Sequence, residues 1–402
     1  MMIDFEYLDK IICSTESKIL MLVIDGLGGV PDKKTGKSEL DVAKIPNLDQ
    51  LSKISSCGVA NPVFPGVTPG SAPGHLAIFG YNPLKYLVGR GFLEATGIGI
   101  NLSTTQIAVR GNFCTYEEGK VVDRRAGRIS NQKCLDLVKL LNQVSVDGMK
   151  IDVYPVEGHR FVAIFDLDSS LISKISNDHL NEIDCSEIFC SIKESEDQIF
   201  TKLVNDFIGK SLQILSDEKR ANGILLRGFS RGTNLPDMKN KYKLNPIGIS
   251  SYPMYIGLAK LLGMKSVSVE KSLDKLVSAV EENFENHDFF FMHYKDADSK
   301  GEDGDFDGKV KSLEAFDQFV PRIMDLNFDV VVITGDHSTP AVLSAHSWHP
   351  VPLLIYNENI GGDKVQSFSE KEFLNGQIGS VDSVNIMMLS LANSGKLKKF
   401  EF

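Results

Sequence analysis

Two mostly apolar segments at opposite ends of the chain each lead directly into acidic residues. Phe328–Thr334 is followed by Asp336 and His337, and Ile19–Ile24 is followed by Asp25. Apolar runs of this length are typical of strands buried in a parallel sheet, whose carboxyl ends meet at one edge. The sequence therefore predicts an α/β fold in which segments from both ends of the chain bring these polar residues together.

The residues at these strand ends combine carboxylate and imidazole donors. That mixture suits zinc or manganese, whereas a set of oxygen donors alone suits magnesium or calcium. Asp25 alone could be an ordinary polar residue at the end of a buried strand. That interpretation is poor for Asp336 and His337, because two desolvated polar side chains beside an apolar strand need partners.

The order of predicted elements divides the chain into two parts. Strands and helices alternate up to residue 86 and again from residue 246, which predicts a mostly parallel sheet flanked by helices. Between these segments, stretches of alternating polar and apolar residues are typical of half-buried antiparallel strands. We therefore expect a core domain, 1–86 and 246–402, interrupted by an inserted α+β cap domain, 87–245.

Three segments have local patterns that predict their structure. The spacing of apolar residues predicts one long helix over Lys309–Met324 and a closing helix over Asp382–Ala392. Residues 170–200, rich in Ser, Asp and Glu, predict an excursion along the surface.

Charge and hydropathy exclude several classes of protein. The formal net charge is −10 and no long basic run occurs, which argues against a nucleic-acid partner. Every apolar run is shorter than the length of about 18 residues that a membrane span needs, and the N-terminus lacks a signal-peptide pattern. We therefore expect a cytoplasmic protein. Buried or free thiols are the better interpretation of the six cysteines, none of which has a metal-site spacing: Cys13, Cys57, Cys114, Cys134, Cys185 and Cys190.

A serine lies where a loop rich in Gly and Pro, 61–70, meets a helix predicted to begin at about Ala72. The start of a helix favours an anion bonded to Ser71, which suggests a nucleophile. On this motif alone, an N-cap serine is the more common explanation. A nucleophilic serine also needs activation by a base or a metal, and the predicted metal ligands are the available route.

An acidic segment follows another predicted strand, His287–His293. It contains five acids in ten residues, and its spacing does not match a calcium-binding EF-hand. A solvated loop is one interpretation, but the position after a strand end favours a metal site. Asp298 and Glu302 with His346 would form a second centre, and paired metal ions stabilise both oxygens in a phosphoryl displacement.

Arginines are concentrated in the predicted cap. Any one of them is compatible with a solvated surface residue, but most lie beside glycine or in turns, which weakens that interpretation for the group. Arginine binds phosphate and carboxylate groups through paired hydrogen bonds. A small phosphorylated carboxylate is therefore the expected substrate of the set: Arg110, Arg124, Arg125, Arg128, Arg160, Arg227 and Arg231.

Together these motifs resemble the 2,3-bisphosphoglycerate-independent phosphoglycerate mutases of the archaeal type, within the alkaline phosphatase superfamily. The resemblance implies an alkaline-phosphatase-like core and a glycolytic and gluconeogenic isomerase that interconverts 3-phosphoglycerate and 2-phosphoglycerate. It further implies a phosphoserine intermediate and two divalent metal ions, with no 2,3-bisphosphoglycerate. It covers nearly the whole chain and rests on these segments: Asp25-Gly26, Thr68–His75, Phe79–Pro83, Asp123–Arg128, Leu226–Gly228, Gly301–Asp305, Thr334–Pro340 and His346–Pro352.

The resemblance also implies roles for individual residues, with Ser71 as the nucleophile. Manganese is the expected metal, with zinc, cobalt and magnesium as alternatives. The implied ligand sets are Asp25, Ser71, Asp336 and His337 for one ion, and Asp298, Glu302 and His346 for the other. The implied substrate-binding positions are His75, Asp123, Arg124, Arg125, Arg128, Arg160, Arg227, Arg231 and Lys295.

Some details depart from the family pattern or leave alternatives. Many relatives have histidine where this chain has Glu302, so that metal site carries more negative charge here. Either Arg227 or Arg231 could contact the substrate. His349 competes with His346 as a ligand, although the spacing favours His346.

Two other functions fit parts of the pattern. A different metal-dependent phosphatase, sulfatase or phosphopentomutase could use the same scaffold, since a fold does not determine a function. The arginine-rich cap favours a mutase over a plain phosphatase, which passes phosphate to water. A binding protein without activity is disfavoured, because the nucleophile and metal ligands are complete.

Overall fold

The structure, a computed structural model, describes residues 8–183, 185, 187–191 and 198–401. The chain divides into two compact units, Met1–Leu87 with Leu235–Phe402, and Val88–Asn234. The sequence predicted that the core resumes at residue 246, whereas the first unit resumes at Leu235 and so includes residues 235–245.

Thirteen strands lie within the described residues. In chain order they are β1 (Ile19–Ile24), β2 (Ser56–Asn61), β3 (Gln106–Glu117), β4 (Lys120–Asp123), β5 (Met149–Pro155), β6 (Arg160–Leu167), β7 (Gly223–Ser230), β8 (Pro246–Ser250), β9 (Lys265–Ser268), β10 (Phe289–Tyr294), β11 (Val330–Thr334), β12 (Val351–Asn357) and β13 (Gly379–Asp382).

The helices are distributed between these strands. They are α1 (Leu8–Ile11), α2 (Glu39–Val42), α3 (Pro46–Lys53), α4 (Ser71–Ile78), α5 (Arg90–Gly97), α6 (Asn131–Leu141), α7 (Ser169–Ile172), α8 (Asn177–Glu182), α9 (Gln198–Ile214), α10 (Met238–Tyr242), α11 (Pro253–Leu261), α12 (Leu273–Asn283), α13 (Asp296–Glu302), α14 (Phe306–Asp317), α15 (Val320–Met324), α16 (Glu370–Phe373) and α17 (Ile386–Asn393). Two short 3-10 helices cover Phe284–Asn286 and Ser383–Asn385.

The first unit contains an eight-stranded sheet in the order β13-β2-β12-β11-β1-β10-β8-β9. Five of its seven described strand pairs are parallel, and β12 runs antiparallel to β11 and β2. Every side chain of β1, β10 and β11 is buried, as expected for central strands covered on both faces. The predicted α/β core with a mostly parallel sheet is confirmed.

The core of this unit follows the two-residue period of a strand. Leu20, Leu22 and Ile24 of β1 point to the same face and pack in one apolar cluster with Leu276 of α12 and Phe316 of α14. In register, Val23 lies opposite both His293 and Thr334, so the three central strands end at one level.

The second unit contains a five-stranded sheet in which every neighbouring pair is antiparallel. On one face, Leu137 of α6 and Phe207 of α9 share an apolar cluster with Phe165 of β6. On the other face, Ala95 of α5 packs against Ala108 of β3. The antiparallel strands predicted from alternating residues are confirmed.

The prediction of one helix over Lys309–Met324 is wrong, because α14 and α15 are separate. Pro321 has no N–H to donate to the carbonyl of Asp317, so a continuous helix would lose that hydrogen bond. The side-chain amide of Asn47 donates to this carbonyl instead, at 3.1 Å, and the Asp317 carboxylate accepts the backbone N–H of Leu48 at 2.8 Å.

The closing helix also begins later than predicted. Gly379–Asp382 pairs with β2 as a parallel edge strand, and α17 starts only at Ile386. Within 170–200, the described residues include part of α7 together with α8 and the first turn of α9, while 184, 186 and 192–197 lie outside them.

The prediction of free thiols is wrong for one pair, since Cys185 and Cys190 form a disulfide with their Cα atoms 4.2 Å apart. A bend at 187–189 reverses the chain between them, and side-chain hydrogen bonds from Asn205 hold Cys190 on both its N–H and its carbonyl at 2.8 Å. Sequence spacing does not reveal such a reversal. The other four cysteines are free.

Candidate metal centre

Four segments meet at one edge of the eight-stranded sheet. Asp25 follows β1, Asp298 lies in α13 after β10, and Asp336 and His337 follow β11. Because β12 is antiparallel, His346 precedes it and reaches the same edge. The predicted assembly of ligands from both ends of the chain thus follows from strand direction.

Asp25, Asp336 and His337 form the first cluster able to hold a metal ion, and all three are fully buried. His337 Nε2 lies 3.1 Å from Asp336 Oδ2 and 3.5 Å from Asp25 Oδ1. Neither oxygen accepts a well-aligned hydrogen bond from the described residues, although two imidazole nitrogens lie close to Asp336 Oδ2. A buried carboxylate oxygen in that condition is costly unless a cation satisfies it, so this donor set fits a divalent metal.

A second cluster lies beside the first. His346 Nε2 is 3.3 Å from Asp298 Oδ1 and 3.5 Å from Glu302 Oε1. Burial lowers the pKa of His346, but its hydrogen bonds with the two carboxylates outweigh this and raise the pKa to about 10. The concentration of negative charge that causes this shift also favours a metal cation at these donors.

The two clusters share one imidazole. The rings of His337 and His346 stack with centroids 3.6 Å apart, and His337 Nδ1 lies 4.0 Å from Asp298 Oδ1. His337 thus has one nitrogen in each cluster, which the sequence did not indicate. His349 lies apart from these donors, with Nδ1 3.1 Å from Ser347 Oγ and its ring stacked on Trp348. This arrangement favours His346 as the ligand.

Ser71 is the first residue of α4, and its Oγ lies 3.4 Å from His337 Nε2. The N-cap position belongs to Gly70, so capping does not account for the serine. Gly74 permits this approach, because a Cβ there would lie 2.2 Å from the backbone oxygen of Asp336. The positive end of α4 therefore meets the first cluster at the serine hydroxyl.

The second oxygen of Asp25 is held by three donors that the sequence analysis did not assign together. Oδ2 accepts from Tyr255 Oη, from His293 Nε2 at 2.8 Å and from Lys295 Nζ at 3.0 Å. Burial and Asp336 raise the pKa of Asp25, but Lys295 and His293 outweigh them and lower it. Donors on Oδ2 fix the orientation of the carboxylate and leave Oδ1 for a metal.

Tyr255 carried no sequence signal, since its helix, α11, is apolar apart from Lys260 and indicates only core. His293 did carry one, because it stands at the end of a buried strand two residues before Lys295. Its ring stacks on Tyr255 with centroids 3.5 Å apart.

Two predicted substrate-binding residues lie within the metal centre. Lys295 Nζ bridges Asp25 Oδ2 and Asp298 Oδ2, the latter at 2.6 Å, and thereby links the two clusters. His75 is fully buried, with Nδ1 2.8 Å from the Ser71 carbonyl and 3.2 Å from Asp336 Oδ2. Their roles toward substrate stay predictions.

The predicted arginines lie in the second unit, where several surround His159. Burial and the guanidinium groups of Arg160, Arg110, Arg125 and Arg128 lower the pKa of His159 to about 4. Their binding of an anionic substrate stays a prediction. The sequence analysis missed His159, although its position beside Arg160 was a usable signal.

Asp123 shapes the turn that carries three of the predicted arginines. Its carboxylate accepts the backbone N–H of Arg125 at 2.8 Å and of Gly127 at 2.6 Å. Arg128 has a positive φ of 56°, and the Arg124, Arg125 and Arg128 side chains are exposed.

Of the two alternative arginines, Arg231 donates to the backbone carbonyls of Ile175 at 3.2 Å and Thr104 at 3.1 Å. Arg227 is exposed and lies opposite Arg110 in the β3–β7 register. Which of the two contacts a substrate stays a prediction.

In the part of the chain that the structure describes, no helix combines the length and apolar character that a membrane span requires. The family model described as the Metalloenzyme superfamily matches residues 17–393. The chain therefore belongs to this superfamily of metal-dependent enzymes, in agreement with its fold and its two clusters of potential metal ligands.

Comparison with individual proteins narrows the class. A protein of Thermus thermophilus, named "Probable 2,3-bisphosphoglycerate-independent phosphoglycerate mutase", is 42% identical over 402 residues, covering 98% of this chain and 99% of its own length. A solved structure from Pyrococcus horikoshii has 25% identity and a TM-score of 0.81, with 97% of this chain and 100% of that chain covered. The chain belongs to the family of 2,3-bisphosphoglycerate-independent phosphoglycerate mutases.

A third comparison supports the fold. The cofactor-independent phosphoglycerate mutase of Thermoplasma acidophilum is 23% identical and has a TM-score of 0.64, covering 94% of this chain and 100% of that chain.

Proposed function

We propose that this chain interconverts 3-phosphoglycerate and 2-phosphoglycerate through a phosphoserine formed on Ser71 at a two-metal centre. The observation that carries the proposal is the group around His337 Nε2. There, the serine hydroxyl lies beside two buried carboxylate oxygens, Asp25 Oδ1 and Asp336 Oδ2, that need a cation.

One ion would be held by Asp25, Ser71, Asp336 and His337, and the other by Asp298, Glu302 and His346. Bound there, divalent ions would activate the serine oxygen and stabilise charge on the transferred phosphoryl group. Mixed carboxylate and imidazole donors suit ions of borderline hardness, so we propose manganese, with cobalt, zinc and magnesium as alternatives.

The chemistry consists of two displacements at phosphorus. Ser71 Oγ loses its proton and attacks the phosphoryl group of 3-phosphoglycerate, the bond from phosphorus to the 3-oxygen breaks, and that oxygen leaves with the electron pair and takes up a proton. The 2-oxygen of glycerate then loses its proton and attacks the phosphoserine. The bond from phosphorus to Ser71 Oγ breaks, the serine oxygen keeps the electron pair and regains a proton, and 2-phosphoglycerate is released. The start of α4 favours the anionic group at both stages.

The glycerate must stay bound between the two displacements. We propose that the arginines of the predicted cap domain, 87–245, hold its carboxylate, with Asp123 fixing the turn that carries Arg124, Arg125 and Arg128. Paired hydrogen bonds from a guanidinium determine orientation as well as charge. In addition to burial, four of these arginines lower the pKa of His159, which supports a shared region of positive charge.

A phosphatase with the same centre would transfer the phosphoryl group to water and release inorganic phosphate. The arginine cluster favours a mutase instead, because bound arginines would retain the glycerate until the second displacement. We further infer that the enzyme acts in the cytoplasm on a small-molecule substrate, without a nucleic-acid or membrane partner.

The test couples conversion of 3-phosphoglycerate to enolase and compares the wild-type chain with Ser71→Ala. We expect mutase activity in the wild type and a loss of at least about 1,000-fold in the variant, because the nucleophile is absent. Acid-quenched wild-type enzyme should also contain phosphate on Ser71, located by mass spectrometry. A variant that retains near wild-type turnover would exclude the phosphoserine route.

A further inference from the structure

A lysine lies buried beneath the metal centre, outside the residues that the proposed reaction uses. Lys309 of α14 has no exposed surface. Its Nζ donates to the backbone oxygens of Gly28 at 3.0 Å and Thr339 at 2.8 Å. Glu39 Oε1 lies 4.0 Å from the same nitrogen and accepts the backbone N–H of Ala341 at 2.7 Å.

The two carbonyls belong to the two loops that carry the predicted ligands of the first cluster. Gly28 lies three residues after Asp25, and Thr339 lies two residues after His337. A buried ammonium group is costly unless it is well bonded, so its hydrogen bonds hold both loops firmly in place.

Thr339 extends this connection to the second cluster. Its Oγ1 donates to Asp298 Oδ1 at 2.7 Å and lies 3.0 Å from His337 Nδ1. The backbone of Thr339 is thus bonded to Lys309 while its side chain contacts one predicted ligand from each ion. A shift of this residue would displace donors of both clusters together.

We propose that Lys309, with Glu39, is a positioning residue that sets the spacing of the two metal clusters by joining the loop after β1 to the loop after β11. The inference rests on the proposed two-metal function. It predicts that loss of Lys309 weakens the binding of both ions at once, whereas loss of a ligand that belongs to one cluster, such as Asp336 or Glu302, weakens chiefly the binding of its own ion.

The chain offers a matched control for a purely structural role. Lys396 is also fully buried, and its Nζ donates to the carbonyl of Thr15 at 2.8 Å and to Asp288 Oδ2 at 3.4 Å. Thr15 precedes β1 and Asp288 precedes β10, so Lys396 lies at the opposite edge of the sheet. Lys396→Met therefore removes a comparable buried lysine far from the predicted ligands.

The experiment is calorimetric titration of Mn²⁺ into the metal-depleted full chain, as wild type, Lys309→Met and Lys396→Met. Methionine keeps the length and removes the charge and the donors. We expect two ions in the wild type, dissociation constants raised about 10- to 100-fold for both ions in Lys309→Met, and no such change in Lys396→Met.

The inference is overturned if Lys309→Met binds both ions with wild-type constants, if only one ion is weakened, or if Lys396→Met is affected as strongly. Glu39→Gln keeps the side-chain shape and covers the case in which Lys309→Met does not fold. It should weaken both ions by about 10-fold, the lower end of the same range, and wild-type constants there would again refute the idea. A wild type that binds fewer than two ions would refute the metal centre itself, and this inference with it.

Discussion

Gly74 provides a direct test of whether the position of α4 determines activity. A Cβ at this residue would lie 2.2 Å from the backbone oxygen of Asp336 and 3.1 Å from its Cβ. Ordinary contacts between such atoms begin near about 3.5 Å, so Gly74→Ala must separate α4 from the loop after β11 by roughly 1 Å. The same movement takes Ser71 away from His337 Nε2, from which its hydroxyl now lies 3.4 Å.

A displacement of this size should reduce kcat for 3-phosphoglycerate by about 100-fold, because misplacing a reacting group by about 1 Å can cost that much. Overpacking should also lower the free energy of unfolding by about 1–3 kcal/mol. The enolase-coupled assay measures the first quantity, and urea denaturation measures the second.

Gly209→Ala is the matched control. Gly209 also lies within a helix, α9, and a Cβ there would meet no described atom within 4 Å. Alanine should leave kcat unchanged and raise the free energy of unfolding by up to about 1 kcal/mol, since glycine is the poorer helix former. If Gly74→Ala kept kcat within about threefold of the wild type, the close approach of α4 to the loop after β11 would not be required for catalysis.

Three further outcomes are expected. Exhaustive chelation should abolish mutase activity, and manganese or cobalt should restore it, because the donors are mixed; full turnover without bound metal would contradict the centre. Asp336→Asn and His346→Ala should each remove a different anomalous scattering peak at the metal edge, and loss of the same single peak in both would refute the division of ligands. Arg128→Ala should raise the ratio of free phosphate to 2-phosphoglycerate, because glycerate escapes before the second displacement; a lower mutase rate with an unchanged ratio would limit Arg128 to simple binding.

Much of the candidate site follows from local patterns in the sequence. Apolar runs that end in Asp25 and in Asp336 indicated buried parallel strands, and parallel strands bring their carboxyl ends to one edge. Alternating residues likewise indicated the antiparallel sheet of the second unit. These predictions succeed because strand burial and strand direction leave a signal within a few consecutive residues.

Contacts between distant segments left no such signal. Pro321 is visible in the sequence, yet the end of α14 also depends on Asn47, which donates to Asp317 from another part of the chain. The disulfide between Cys185 and Cys190 depends on a bend between them that spacing does not encode.

The sequence by itself determined which residues stand at the strand ends and which donors they offer, because both are properties of consecutive residues. Only the tertiary structure decided that His337 serves two clusters, that Tyr255 holds Asp25, and that Lys309 lies beneath both loops. Each of these depends on the packing of helices against the sheet, which places side chains from separate segments within hydrogen-bonding distance. Hydrophobic periodicity indicates which face of a helix packs against the sheet. The neighbours of each polar atom depend on how all the segments pack together, which no local pattern shows.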